Sequence, residues 1–223
     1  MAYIDFMSAI HKNTKRDYLS RVNDPDYPKA KAATLAKEWD YDYWDGDRRI
    51  NYGGYNYLPG RWNPVGQAMI DHYKLKAGDR ILDIGCGKGF QLFELTQLLP
   101  GLEVFGIDIS EYAIMHAKNE IKDCLQICNA SSLPFPDNYF DFVFSINTLH
   151  NLYNYELENA LKEIERVGNK HKYICVEAYR TEEEKANLLY WQVTCESFCT
   201  PKEWEWWFKK TGYSGDHSFI YFE

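Results

Sequence analysis

The sequence predicts an α/β fold: a mostly parallel sheet with helices on both faces. Three observations carry this. From Arg80 onward, short apolar runs alternate with amphipathic helical runs. The first run, "RILDI", reads as a short buried strand, and the last, "HSFIYFE", is apolar on both sides, as in a strand buried on two faces. Breaks rich in Gly, Pro and Asp separate them at the spacing of βαβ units. The 223 residues suit one such domain with a modest appendage. Two parts are expected, an N-terminal helix with an aromatic segment over residues 1–63 and the α/β domain over residues 64–223.

Residues 29–39, "KAKAATLAKEW", are rich in helix formers and predict a helix. Residues 42–62, "DYWDGDRRINYGGYNYLPGRW", keep neither helical nor strand period, and Gly53-Gly54 and Pro59-Gly60 punctuate a loop. Asn63-Pro64 signals a helix start, followed by "VGQAMIDHYKL". "RILDI" reads as the first strand, "GFQLFELTQLL" as a helix ending at Pro100-Gly101, and "EVFGID" as the second strand. Ser110 caps a helix over "EYAIMHAKNEIKD". "LQICN" and "FDFVFSI" are the third and fourth strands, "YELENALKEIERVG" a helix, and "KYICVEA" the fifth strand. "EEEKANLLYWQVTCESFC" reads as a helix, and Thr200-Pro201 opens another, "KEWEWWFKKTG". One final strand, "HSFIYFE", is apolar on both sides.

The balance of 25 basic against 33 acidic residues, net charge -8, argues against a nucleic-acid surface, which needs clustered Lys and Arg. The first residues lack the apolar core of a signal peptide, and no run approaches a membrane span, so a cytoplasmic, soluble protein without membrane insertion is expected. Six cysteines are then read as free thiols. The i, i+4 pairs Cys124/Cys128 and Cys195/Cys199 lack the further ligands of a zinc or iron–sulfur site, so no metal is expected.

The segment "ILDIGCGKGF", residues 81–90, carries the chemistry. A strand entering a Gly-rich turn and then a helix brings backbone N–H groups to a ligand. Gly85, Gly87 and Gly89 give a G-x-G-x-G spacing, and Phe90 stands where a dinucleotide fingerprint wants a small residue. Asp108, ending "GID", sits where a carboxylate can hold both hydroxyls of a ribose.

At these residues the chain resembles the class I S-adenosylmethionine-dependent methyltransferases, over about residues 64–180. "ILDIGCGKG", "GIDIS" and "NASSLPFPDNYFDFVFS" resemble their first four motifs, in order. The resemblance implies a Rossmann-like methyltransferase sheet with helices on both faces; this chain's own length shortens its C-terminal strand region. It implies S-adenosyl-L-methionine as cofactor and S-adenosyl-L-homocysteine as product. Gly85, Cys86 and Gly87 would line the methionine moiety, with Asp83 near its amino group. Asp108 would take the ribose, Ile109 would pack on the adenine and Asn129 would accept from its amino group. Ala130 and Ser145 would complete the donor site. The bland reading of Asp83 and Asp108 is loop capping.

Ligands in open α/β sheets lie beyond the carboxyl ends of the strands, so "SINTLHNLYNY" and "VEAYR" should face the acceptor. His150 is the leading base because a free imidazole titrates near 6.5, with Glu177 as second candidate. Against this, a lone histidine is more often a packed structural residue. Asn147, Asn151, Tyr153, Tyr179 and Arg180 are candidate acceptor contacts. The aromatic segment resembles the lid that precedes the first motif in this family. Tyr52, Tyr55, Tyr57, Arg61 and Trp62 would stack on a substrate ring, and Arg48, Arg49 and Arg61 would pair with a phosphate or carboxylate. The alternative is that these aromatics only pad the domain edge.

"DGDRRINYGGYNYLPGRW" and "TPKEWEWWFKKTGY" also resemble a narrower bacterial group associated with sugars and surface polysaccharides. The favoured reading is O-methylation of a small polar acceptor: a sugar, nucleotide-sugar or phosphorylated metabolite. The alternatives are N-methylation of a small amine inside a cation–π cage, an inactive donor-binding partner subunit, and a dinucleotide oxidoreductase. Family members usually end in a sixth strand and an antiparallel seventh. Here only one strand fits, so a six-stranded sheet is expected, or a last position filled by the N-terminal segment or by a second copy in a homodimer.

Overall fold

The structure is a computed structural model that describes residues 1–11, 16–52 and 55–223. Three short helices come first: α1 (Tyr18–Val22), α2 (Lys29–Ala36) and α3 (Tyr41–Trp44). Helix α4 (Asn63–Tyr73) follows, with Pro64 in its first turn. Strand β1 (Arg80–Ile84) then opens the alternation through α5 (Phe90–Leu98), β2 (Glu103–Asp108), α6 (Glu111–Met115), β3 (Leu125–Ile127) and β4 (Phe140–Ile146). Helix α7 (Asn154–Val167), β5 (Gly168–Glu177), α8 (Glu182–Trp191), α9 (Pro201–Thr211) and β6 (Asp216–Ile220) complete it.

The strands form one sheet in the order β3-β2-β1-β4-β5-β6, and every neighbouring pair is parallel. Two cores cover it. Val65, Met69, Leu92, Leu95 and Phe142 pack on one face, and Leu157, Leu161, Ile164, Trp204 and Phe208 on the other. The last strand behaves as its pattern demands: Ile220 enters the first core and Phe219 the second. No antiparallel seventh strand follows among the described residues. Instead Tyr3 pairs in parallel with His217, as Ile4 N–H donates to His217 O at 2.9 Å and His217 N–H to Ala2 O at 3.0 Å. The N-terminal segment thus covers the edge of β6, one of the two expected ways of filling that position.

Several expected elements are shorter. Helix α2 stops at Ala36 and α6 at Met115. Helix α8 ends at Trp191, and residues 192–199 run on outside any helix or strand. The chain bends at Val193 and Thr194, and tertiary bonds hold it. Val193 N–H and Thr194 N–H donate to the Tyr52 hydroxyl, while Glu196 N–H and Ser197 N–H donate to His150 O. The helix start read at Thr200-Pro201 is present, and the structure adds a capping box that Glu203 closes.

The aromatic segment begins with a helical turn, α3, capped by Asp40. Behind it lies a small third core of Ala32, Ala36, Tyr43, Ile50 and Val193. The Gly53-Gly54 pair of the proposed lid lies outside the described residues.

Candidate active site

One cavity of about 890 Å³ lies beyond the carboxyl ends of the strands. Its donor half is built by the turn after β1. Gly85 has φ +81°, and a Cβ there would meet the Thr148 side chain at 2.0 Å. Gly87 has φ +53°, and a Cβ there would strike the Trp44 indole at 2.8 Å. Only glycine fits both the dihedrals and the space. The Asp108 carboxylate accepts from Gly87 N–H at 2.8 Å and Ser110 N–H at 2.9 Å, holding the turn against the end of β2. Burial raises the Asp108 pKa against these bonds, and burial followed by the Asp108 charge raises that of Asp83. No protein donor reaches the Asp83 carboxyl among the described residues, although it is 5 % exposed and lines the cavity. A buried carboxyl in that state suits a cationic ligand.

Asp83, Gly85, Cys86, Gly87, Asp108, Ile109, Asn129 and Ala130 all line this cavity. Ile109 is exposed there, as an unfilled apolar contact would be. The Asn129 carbonyl oxygen accepts from Ser131 N–H at 2.8 Å, so its side chain also caps its own loop. Ser145 is a correction. It is fully buried off the cavity and its hydroxyl donates to Ile84 O at 2.9 Å, tying β4 to β1.

Residues 39–45 press on this donor half, a feature the sequence reading missed. Trp44 Nε1 donates to Ser110 Oγ at 2.8 Å, and Ser110 Oγ donates to Trp39 O. Asp45 accepts from buried Lys88 Nζ at 2.6 Å and from the Tyr112 hydroxyl at 2.8 Å. On the other side of the loop, buried Glu94 accepts from Gly60 N–H at 2.6 Å and Trp62 N–H at 2.7 Å.

In the acceptor half, His150 stands on a 3₁₀ turn (Leu149–Asn151) after β4, and Glu177 ends β5. Nδ1 of His150 faces Glu177 N–H at 3.4 Å, and Nε2 lies 3.6 Å from Glu177 Oε2. An imidazole near its free pKa was expected, and that is corrected. Burial pushes His150 down to about 3 and Glu177 up to about 8. The separation is that of an ion pair, yet burial opposes charge on either partner, so we read a neutral pair at pH 7. With Nδ1 accepting, the ring proton sits on Nε2, facing the carboxyl. Gln192, absent from the sequence candidates, completes the group. Its amide N–H donates to Glu177 Oε2, and its oxygen accepts from the Tyr52 hydroxyl at 2.6 Å.

Tyr52, Tyr55, Arg61, Trp62, Asn147, Asn151 and Tyr153 line the cavity, as does Arg48. Asn151 Oδ1 is buried without a partner among the described residues, an acceptor waiting for a donor. Four expected contacts lie elsewhere. Tyr57 packs on Phe90 and Phe93 of α5. Arg49 pairs with Asp47 and Asp26. Tyr179 is buried in the first core, and Arg180 pairs with Glu184 and Glu223. After Glu177 the chain turns outward to the Thr181 cap of α8, carrying both away from the strand ends.

A family model for a methyltransferase domain matches residues 75–212, more than half of the chain. The chain belongs to this methyltransferase domain family. Among curated proteins it is similar to a demethylmenaquinone methyltransferase of Symbiobacterium thermophilum, with 34 % identity over 139 residues, 57 % of this chain and 55 % of that one. A 27-O-demethylrifamycin SV methyltransferase of Amycolatopsis mediterranei is 36 % identical over 85 residues, 35 % of this chain and 31 % of that one. These matches span about half or less of the relatives' own length. Among solved structures, the [4+2]-cyclase SpnF superposes with a TM-score of 0.58 at 18 % identity, over 81 % of this chain and 72 % of that one. That likeness shows the fold alone. Among the described residues no helix is long and apolar enough to cross a membrane.

Proposed function

We propose that this methyltransferase-domain protein transfers a methyl group from S-adenosylmethionine to a hydroxyl of a small ring-bearing acceptor, releasing S-adenosylhomocysteine. One observation carries the reading: a single cavity runs from the glycine turn and Asp108 to the His150–Glu177 pair. Its volume of about 890 Å³ suits a donor and a small acceptor together.

When bound, S-adenosylmethionine supplies an electrophilic methyl on a sulfonium. Asp83, a buried carboxyl that no donor among the described residues reaches, fits the ammonium. The Gly85–Gly87 turn admits close backbone approach, and Asp108 holds the ribose hydroxyls. Ile109 and Asn129 flank the base. In-line methyl transfer asks the protein mainly for alignment. Tyr52, Tyr55 and Trp62 present ring faces for a flat or sugar ring, and Asn151 Oδ1 accepts from a second hydroxyl. Glu177, rather than His150, takes the acceptor's proton. Its pKa lies close to the working pH, where proton transfer is efficient, and the nearby sulfonium charge favours its carboxylate. His150 and Gln192 hold that carboxyl in place.

A sugar, nucleotide-sugar or phosphorylated metabolite meets these demands. Among the relatives, the rifamycin enzyme's name likewise specifies an oxygen acceptor. The test is incubation of the purified protein with isotopically labelled S-adenosylmethionine and pooled hydroxylated metabolites, with mass spectrometry of the products. An O-methylated product with stoichiometric S-adenosylhomocysteine is expected. Products methylated only on nitrogen, or no donor binding by calorimetry, would overturn the reading.

A further inference from the structure

His11, Arg16 and Arg61 border the same cavity as the His150–Glu177 pair. The chain carries a net charge of -8, so a gathering of cations at one mouth runs against its average. Arg61 Nη2 donates to Ile10 O at 3.2 Å, which sets the guanidinium beside His11. Arg16 lies 5.6 Å from the Trp191 ring centroid, next to Gln192 in the chain. Their crowding is felt at His11: burial, then Arg16 and Arg61, lower its pKa, with Asp5 opposing. His11 Nε2 is buried without a hydrogen-bond partner among the described residues. No carboxylate pairs with Arg61 among those residues. A buried ring nitrogen lacking a partner beside guanidinium groups is the chemistry of an anion site, because an oxyanion would satisfy the nitrogen and offset the repulsion together.

We propose that His11, Arg16 and Arg61 form an oxyanion subsite that receives a phosphate or carboxylate group of the acceptor, beside Trp62 and Trp191. This deepens the methyl-transfer reading and rests on the cavity holding a small acceptor; it narrows the acceptor to molecules with a ring and an acidic group. Trp62 and Trp191 supply the faces for the ring.

Calorimetry of the protein saturated with S-adenosylhomocysteine tests this with phenyl phosphate, benzoate and phenol as probes. Both anions are expected to bind at least about tenfold tighter than phenol, as charge-assisted hydrogen bonds allow. If phenyl phosphate leads, the natural group is a phosphate; if benzoate leads, a carboxylate. In the double variant His11→Ala/Arg61→Gln the advantage of the anions should vanish, with phenol and S-adenosylhomocysteine binding unchanged. Equal binding of the three probes, binding of none, or an advantage that survives the double variant would overturn the subsite. So would weakened S-adenosylhomocysteine binding in that variant, which would assign the cations to the donor. Failure of methyl transfer in the product screen leaves these binding results intact, so the two readings fail separately.

Discussion

At the scale of single residues, Glu177 and His150 titrate in opposite directions because both are buried. Folded Glu177 keeps its proton up to about 8, against 4.5 for a free carboxyl. The folded state therefore binds more protons between those values, and the stability Glu177 contributes is full below 4.5 and lost as pH rises toward 8. His150 is depressed from 6.5 to about 3, so its contribution is full above 6.5 and lost as pH falls. Glu177→Gln should accordingly gain stability relative to the parent between pH 4.5 and 8, by a few kcal/mol, since each tenfold change in proton affinity is worth about 1.4 kcal/mol. Urea denaturation at pH 5, 6.5 and 8 checks this, and parallel curves would refute it. On the donor side, Asp108→Ala should weaken S-adenosylhomocysteine binding by roughly 1.5–3 kcal/mol, the worth of a charge-assisted pair. Unchanged affinity by calorimetry would remove Asp108 from the donor site. Asp83 and Asp108 were legible as cavity-lining residues because each stands at the carboxyl end of an apolar run, where such a sheet opens to a ligand. Gln192 was not, because its role depends on Tyr52, 140 residues away.

At the scale of elements, strands β1 to β5 were legible from apolar runs bounded by turns. The N-terminal helices were less so: α1 has five residues and α3 four, too short for a periodic signal. What holds them is distant. Tyr52 bonds to residues 192–194, and Lys37 pairs with Glu196. The aromatic segment consequently pads a third core and lines the cavity at once. Its link to the donor half is specific, since Asp45 bonds buried Lys88 while Trp44 lies on the glycine turn. We expect this contact to gate the donor. Asp45→Ala should speed both association and release of S-adenosylhomocysteine, by about tenfold if one charged hydrogen bond of 1.5–3 kcal/mol is lost in part. Stopped-flow tryptophan fluorescence measures both rates. Rates equal to those of the parent would make the contact mere packing. Hydrogen exchange over residues 45–52 should also slow when the product is added.

At the scale of the whole molecule, an all-parallel sheet leaves two edges, and the chain treats them differently. Strand β3 is only three residues long, a length that offers little to a neighbouring strand. Strand β6 is longer and apolar on both faces, so an open edge there would invite pairing with another copy. The N-terminal segment closes it. Ala2 N–H donates to Asp216 Oδ1 at 2.7 Å, two backbone bonds join Ala2 and Ile4 to His217, and Tyr3 packs edge-on against the His217 ring. Phe6, next along the chain, is buried against Tyr73 and Tyr173 and anchors the segment. Deleting residues 1–5 should leave that anchor and remove the three bonds, costing about 3 kcal/mol at roughly 1 kcal/mol each. For a chain of this length that corresponds to a fall in Tm of roughly 6–12 °C. The uncovered β6 edge should then pair, so light scattering should report concentration-dependent association that the parent does not show. A truncated protein with the parent's Tm and the parent's mass at every concentration would show that the segment merely lies along the sheet.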